Sequence, residues 1–460
     1  MAEQEQAGQQ GQEFKEKEQV RFDNASQTLE QSANSLVKFG GFDLLESVVD
    51  GAQNLNPEKK ARKKIFLSES GKKAEREALK KSLNLWVALL SESTAVSDMI
   101  EKAEANTKSA DQCLKANVKK ALEATSDLER SYRSVALFFK NTESDKLKNV
   151  SFMNASLEQI KDLDNPLFFN VVQEEMKQNF DRLDLRDNYS LLVMPGYLGS
   201  NAVVEKWAKM AYANKVMLVT DFEHLDTPDD VMELFESANL TGGDIYRSNV
   251  MMACNWLVGR QKAAEVGEDD NLYVPPSGAL AGTVYKTLMS QVAAGKKHGG
   301  LSEVEGVKFE LKKSEIANLE KLGLVPMVNE YGKVMAFSAK TLFNGDNLGL
   351  QTYSVVRVFD YVTKVLIDFL NRRAFENWNS QTEKDLRSQI TKWLDSVTGP
   401  GKLIESFRIG QLKQDPNQKD RVMIDIHMTP YFPAKAFMIK LDGQKGDDGM
   451  QWLAEYAKGG

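Results

Sequence analysis

Leu191-Leu192-Val193-Met194-Pro195-Gly196, followed by Ala202–Ala213 and then Val216-Met217-Leu218-Val219, is the stretch that decides the fold. Two short apolar runs flank a segment with helical spacing. Such a strand–helix–strand order predicts a βαβ unit with a parallel pairing, the Pro195-Gly196 step supplying the turn. The alternation continues downstream. Helices are expected at Asp229–Glu236, Ser248–Ala264 and Leu280–Ala294, and strands at Val307–Leu311 and Val334–Phe337. Tyr353–Leu370 is apolar almost all round and predicts a buried central helix. A further helix over Thr382–Val397 stops at Gly399-Pro400-Gly401.

Upstream of the βαβ unit the rhythm is helical. Two long patterns run over Lys72–Ala105 and Ser109–Lys140. Before them, a weakly amphipathic helix is expected at Ala25–Phe39, with Leu29, Ala33, Leu36 and Val37 at helical spacing and Gly40-Gly41 ending it. Phe42, Leu44, Leu45, Val48 and Val49 form a small apolar cluster, and Lys59–Lys64 is a basic run. Residues Met1 to about Arg21 are rich in Gln, Glu and Lys and poor in the apolar residues that offset ordering entropy.

The C-terminal end reads as β. Val422, Ile424, Ile426 and Met428 alternate with Met423, Asp425 and His427. Past the Pro430/Pro433 turn, Phe437, Ile439 and Leu441 alternate with Met438 and Lys440. The pattern predicts one hairpin with one apolar face. Two readings of it are open: an ordinary hairpin closing its own sheet, or an edge that exchanges strands with neighbours. The Ala25–Val49 arm likewise either docks on its own domain or is offered to a groove elsewhere. The Lys59–Lys64 run is a solvated linker or a contact for an acidic surface. The fold class expected is therefore α/β, a mixed sheet core flanked by helices, with a long helical N-terminal region and a C-terminal β-hairpin. The expected regions are 1–65 (arm), 66–185 (helical), 186–375 (α/β core) and 376–460 (C-terminal helix and hairpin).

Bulk composition narrows the function. The chain has 460 residues, 42% hydrophobic and 27% charged, an ordinary globular balance. The formal charge is −7 with no long basic face, which disfavours nucleic acid as the main partner. The two cysteines, Cys113 and Cys254, are far apart and in no Cys-x-x-Cys pair, which favours a reducing compartment. The polar, acidic start lacks a secretory pattern, and no run approaches the roughly 18 apolar residues of a membrane helix. A cytoplasmic protein without membrane insertion is expected.

Motifs of catalysis are missing. The three histidines, His224, His298 and His427, are dispersed. There is no His-Glu-x-x-His helix, phosphate loop or Gly-x-Ser-x-Gly elbow. Gly278-Ala279-Leu280-Ala281-Gly282 has the elbow's glycines but Leu at the nucleophile position. No catalytic, cofactor-binding or metal-binding residues are assigned. Carboxylates are plentiful, so a carboxylate-based hydrolase at the ends of the βαβ strands stands as the alternative reading.

An ordered series of segments gives a more specific reading. Leu128-Glu129-Arg130-Ser131-Tyr132-Arg133-Ser134-Val135-Ala136-Leu137-Phe138-Phe139 is followed by Leu147–Asn154, the helix start Ser156-Leu157-Glu158-Gln159-Ile160 and the helix Pro166–Glu175. Further on come Glu315–Met327, the strand Lys333–Ser338 and Arg357–Val362. This order and spacing resembles the large sheath subunit of the type VI secretion contractile apparatus, over roughly Trp86 to Leu441. Tyr132 departs from the family pattern, which has Trp between glycines there. The resemblance implies a structural subunit without enzymatic activity or cofactor. Its implied partners are a small sheath subunit, further sheath subunits in a six-fold helical polymer, an inner tube protein, a baseplate and a recycling AAA+ unfoldase. It places inter-subunit strand linking on Val422, Ile424, Ile426, Met428, Phe437, Ile439 and Leu441, and unfoldase recognition on the helix carrying Leu29, Ala33, Leu36 and Val37. A sheath of the phage-tail kind is the neighbouring alternative.

Overall fold

The structure is a computed structural model that describes residues 69–92, 95–143, 145, 147–435, 437–445 and 450–458. The Ala25–Phe39 helix and the Lys59–Lys64 run lie outside the described residues. By contact the chain divides into two units, Met1–Asn117 and Val118–Gly460.

In the first unit, α1 (Lys73–Glu92) precedes the start of α2 (Val96–Asn141), which is 46 residues long and continues into the second unit. α1 ends at Glu92 and α2 starts at Val96, whereas the sequence pattern placed the break at Asn106-Thr107-Lys108. Within that continuous helix Thr107 Oγ1 donates to the carbonyl of Ala103, 2.7 Å away, one turn back.

The second unit holds the sheet. After α3 (Leu157–Lys161) and α4 (Leu167–Phe180) come β1 (Leu191–Tyr197), α5 (Asn201–Ala213) and β2 (Met217–Asp221). β1 and β2 pair in parallel with Leu191 opposite Met217, so the expected βαβ unit is present. Ser156 caps α3 in a capping box with Gln159, at the helix start read from the sequence. Next come α6 (Pro228–Ala238), β3 (Val250–Cys254), β4 (Leu257–Arg260), β5 (Leu272–Val274), α7 (Ser277–Lys286), α8 (Gly295–His298) and β6 (Gly306–Val307). Then follow α9 (Lys313–Lys321), β7 (Leu324–Glu330) and β8 (Lys333–Ala336). The five-stranded sheet has the order β1-β2-β3-β7-β8, parallel except for the antiparallel β8, and β5-β4-β6 form a small antiparallel sheet.

Both faces of the large sheet are covered. Leu218 and Met252 pack with Val204 and Trp207 of α5 and Phe235 of α6. Met217, Val219 and Met251 point the other way, onto Leu280 and Val284 of α7, Leu137 of α2 and Tyr353. Strands buried on both faces read as unbroken apolar runs, without the alternation of a half-exposed strand. This explains the expected helix at Ser248–Ala264, which the structure replaces by β3 and β4. The run Val250-Met251-Met252-Ala253-Cys254 is wholly buried, and periodicity cannot separate such a strand from a buried helix. Asn255 makes the turn at φ 66°, its side chain bonded to the backbone of Phe309 and Met327.

Two glycines of the false elbow have a packing role. A Cβ on Gly278 would lie 2.4 Å from the carbonyl oxygen of Ser134, and one on Gly282 would lie 2.5 Å from that of Phe138. α7 therefore crosses α2 backbone to backbone. α7 starts at Ser277 and ends by Lys286, short of the expected Ala294. The buried Arg357 donates to the carbonyl of Val284 in its last turn, 3.1 Å away. The strand expected at Val307–Leu311 is reduced to Gly306–Val307.

The chain ends with α10 (Tyr353–Asn371), α11 (Ser380–Ser396), β9 (Ile404–Gln414), β10 (Val422–Pro430), β11 (Phe437–Lys445) and β12 (Met450–Lys458). α10 is fully buried only over its first six residues; Phe359 and Tyr361 are exposed, and most of the helix after them is half-buried. The C-terminal β structure is present with different partners. β10 pairs with β9, Ile426 opposite Ile409 and Met428 opposite Phe407. β11 pairs with β12, Ile439 opposite Tyr456. β10 and β11, expected to form one hairpin, belong to two ribbons.

Candidate functional site

The strand ends of the βαβ unit, where an α/β enzyme would hold its ligand, are an interior joint. Asp221 ends β2 fully buried. Its carboxylate accepts from the backbone N–H of Gly196 (2.9 Å), the backbone N–H of Ser277 (2.7 Å) and the Ser277 hydroxyl (2.5 Å). Burial pushes its pKa up to about 7, and those three donors oppose the rise. Thr220 Oγ1 donates to the Gly196 carbonyl from the same strand end (3.0 Å). Asp221 thereby pins the β1 turn to the N-terminus of α7, where a carboxylate suits both the orphan N–H groups and the helix dipole. Leu157 of α3 lies 3.5 Å from the Cβ position of Gly196. The joint is filled from its own chain.

The histidines stand in separate settings. His224 is half-buried, stacked on Trp256 with ring centroids 5.0 Å apart; burial lowers its pKa. His298 ends the short α8, and His427 sits exposed on β10. Among the described residues no group of three His, Cys, Asp or Glu side chains is placed to hold a metal ion. No helix among them is long and apolar enough to cross a membrane.

The C-terminal ribbons carry the residues singled out for subunit linking. On β10, Ile424, Ile426 and Met428 turn inward and pack with Ile404 against Val358 and Val362 of α10 and Ile390 and Leu394 of α11. Asp425 and His427 face outward, and Val422 is exposed. The alternation read from the sequence is real, and its apolar face is spent on this domain's own core. What β10 and β9 leave open are their outer backbone edges, which have no ladder partner among the described residues apart from one bridge between Ile404 of β9 and Thr398. Phe437, Ile439 and Leu441 lie on β11, opposite Lys458, Tyr456 and Ala454 of β12. This ribbon also is two-stranded with both outer edges unpaired among the described residues. Sequence reading missed β9 and β12. The Asp415-Pro416-Asn417 step after the run Ile404–Gln414, and the turn-type composition Gly446-Asp447-Asp448-Gly449 before the run Met450–Lys458, were the available sequence signal.

A second surface lies on α2. Leu128, Tyr132 and Val135 form a stripe at i, i+4 and i+7 on the outer face of α2, with Leu128 73% and Tyr132 71% exposed. Phe139 continues it and meets Phe152, also exposed, at 6.0 Å between ring centroids. The inner face carries charge beside the buried Leu137. Arg130 Nε donates to the carbonyl of Tyr273, Arg133 to that of Gly259, and Glu129 bridges Arg133 and Arg260. Arg130, Arg133 and Glu129 thus serve the domain beside the buried Leu137, while Leu128, Tyr132 and Val135 meet solvent.

The second unit is thus an α/β sheet with buried strand ends, open ribbon edges and an outward apolar stripe. Matches to family models place the chain. The Type VI secretion system TssC/VipB central domain matches residues 120–344, the TssC/VipB-like C-terminal domain 352–458 and the N-terminal region 29–118. The chain belongs to the TssC/VipB family of type VI secretion contractile sheath proteins. A search of curated proteins returned no match. Similar solved structures include a chain of the anti-feeding prophage baseplate, at 17% identity and TM-score 0.47, covering 68% of this chain and 80% of that one. The sheath complex of an extracellular contractile injection system in its contracted state is similar at 18% identity and TM-score 0.43, over 67% and 90% of the two chains. A sheath tail protein from Desulfitobacterium hafniense is similar at 11% identity and TM-score 0.38, over 64% and 60%.

Proposed function

We propose that this chain is the large subunit of a type VI secretion sheath, that it pairs with a small sheath subunit, and that the pairs polymerise around an inner tube on a baseplate. Contraction of the polymer drives the tube outward and delivers effectors. The role is structural, without chemical turnover. The family match over all three regions of the chain carries this reading.

A contractile sheath stores its work as a free-energy difference between two packings of the same subunits. Rigid cores must move while links between them persist. Two-stranded ribbons with bare edges suit such links, because an added strand contributes backbone hydrogen bonds of roughly 1 kcal/mol each. Ile424, Ile426 and Met428 then hold β10 on its domain while its edge and that of β11, with Val422, Phe437, Ile439 and Leu441 along them, take neighbouring strands. The apolar stripe on α2 is a further surface of the kind that subunits bury. The helix with Leu29, Ala33, Leu36 and Val37 is proposed as the handle for a recycling AAA+ unfoldase.

Co-expression with a small sheath partner tests the function. Tubules of uniform width under the electron microscope are expected; a chain that stays monomeric and co-purifies with no partner would overturn the proposal.

A further inference from the structure

A cleft of about 480 Å³ opens on the second unit between α9, the segment after β8, the turn before β9 and the Tyr431–Lys435 connection from β10 to β11. That volume lies in the range, roughly 300–1,000 Å³, of sites that hold small ligands or the anchor side chains of a peptide. Leu288, Ile316, Phe337 and Phe432 line it, and Leu288, Phe337 and Phe432 are exposed.

The mouth is positive. Lys313, Lys402 and Lys435 stand around it with one acid, Glu320. Glu320 is taken by Lys435. Lys313 and Lys402, both exposed, make no ion pair among the described residues. Lys340 near the rim has its pKa lowered, by burial first and then by the Lys435 charge, with Glu320 opposing. An apolar floor under a lysine rim selects a partner that combines apolar anchors with negative charge.

Residues 1–68 of the chain, outside the structure, contain one stretch of that chemistry. Phe42-Asp43-Leu44-Leu45-Glu46-Ser47-Val48-Val49-Asp50 carries five large apolar residues, three acids and no base. Lys59–Lys64 and the Ile65-Phe66-Leu67 that follows are basic and would be repelled; Met1–Arg21 has few anchors; Ala25–Phe39 is nearly neutral. We propose that the cleft receives Phe42–Asp50 of a second copy of this chain, its apolar residues on the floor and its acids against Lys313, Lys402 and Lys435. This rests on the reading of the chain as a polymerising sheath subunit. It adds a side-chain lock to that reading, distinct from strand pairing at the ribbon edges.

The test uses a fluorescent synthetic peptide of residues 40–52 and the full chain carrying L44D and L45D, so that its own segment does not compete. Fluorescence anisotropy should show saturable binding that weakens with added salt. The exposed pair K313E/K402E should weaken it at least tenfold with an unchanged circular dichroism spectrum. Phe337→Ser should weaken it as well. No saturable binding, or binding indifferent to both changes, overturns the inference. To separate copies, a tagged chain with V48C and an untagged chain with K402C, both C113S, are co-expressed and oxidised. An interchain cross-link is expected; a cross-link formed only when both cysteines share one chain overturns the second-copy assignment. Tubules without peptide binding would sink this inference and spare the sheath reading, and peptide binding without tubules would do the reverse.

Discussion

The five-stranded sheet and the C-terminal ribbons solve opposite problems with the same kind of strand. In the sheet, β2 and β3 are buried at every residue, and helices lie on both faces. In the ribbons, β10 alternates between half-buried and exposed, and among the described residues β9 and β10 pair with each other, apart from one bridge of Ile404 to Thr398. An isolated two-stranded ribbon is marginal in water. β9–β10 persists because Ile404, Ile424, Ile426 and Met428 are packed on α10 and α11. The sheet thus uses its strands to finish a core, whereas the ribbon uses side chains for the core and leaves backbone for something else. Where a strand's side chains point and where its backbone bonds go are separable, and a subunit can give one to itself and the other to its neighbour.

The largest expected effect breaks that contrast outright. Deleting residues 437–458 should abolish tubule formation with the small partner while thermal unfolding of the remaining chain shifts by no more than a few degrees. Tubules that still form would remove the linking role of β11 and β12. A charge at Tyr132 (Tyr132→Asp) should likewise impair assembly, and urea titration should find stability within about 0.5 kcal/mol, since the ring is exposed.

Next in size is the core. Gly278→Val places a branched side chain where even a Cβ would be 2.4 Å from the Ser134 carbonyl. Destabilisation of at least about 3 kcal/mol, or failure to fold, is expected by denaturant titration. Asp221→Asn substitutes a donor for one of two oxygens that accept from Gly196 and Ser277. A loss of about 1–3 kcal/mol follows from one unsatisfied buried group. The pH dependence has a definite sign. The folded-state pKa of Asp221 is raised from the usual carboxylate value to about 7. Between about pH 4 and 7 the folded state therefore binds more protons than the unfolded one, and this residue's contribution to stability declines as pH rises through that window. Urea titrations of wild type and Asp221→Ala across that range should show this slope in the wild type only.

The smallest effects sharpen the ribbon's two roles. Ile426→Ala should cost about 1–2 kcal/mol, less than a fully buried isoleucine, because it is only partly covered. Val422→Ala, at the exposed end of the same strand, should change stability by less than about 0.5 kcal/mol.

Much of this was legible in the chain itself. The βαβ unit from Leu191 to Val219, the helices near Asp229 and Thr382, and the inward alternation of Ile424, Ile426 and Met428 follow from local periodicity. Each is an amphipathic or bounded apolar segment whose pattern survives in the fold. The ordered segments from Leu128 to Glu175 placed the chain in its family. Other features depended on partners remote in sequence. Val250–Cys254 is a strand because β2 and β7 flank it; its apolar run alone fits a helix equally well. Gly278 and Gly282 resemble part of a catalytic elbow until α2 is found against them. β10 joins β9 and not β11, because ladder pairing is set by which backbone arrives alongside, and a period of two tells only which face is apolar. The exposure of Leu128 and Tyr132 is a fact of the same kind. A heptad-like stripe marks one face of a helix, but only the folded domain, by placing Arg130 and Arg133 inward, decided that this face looks out.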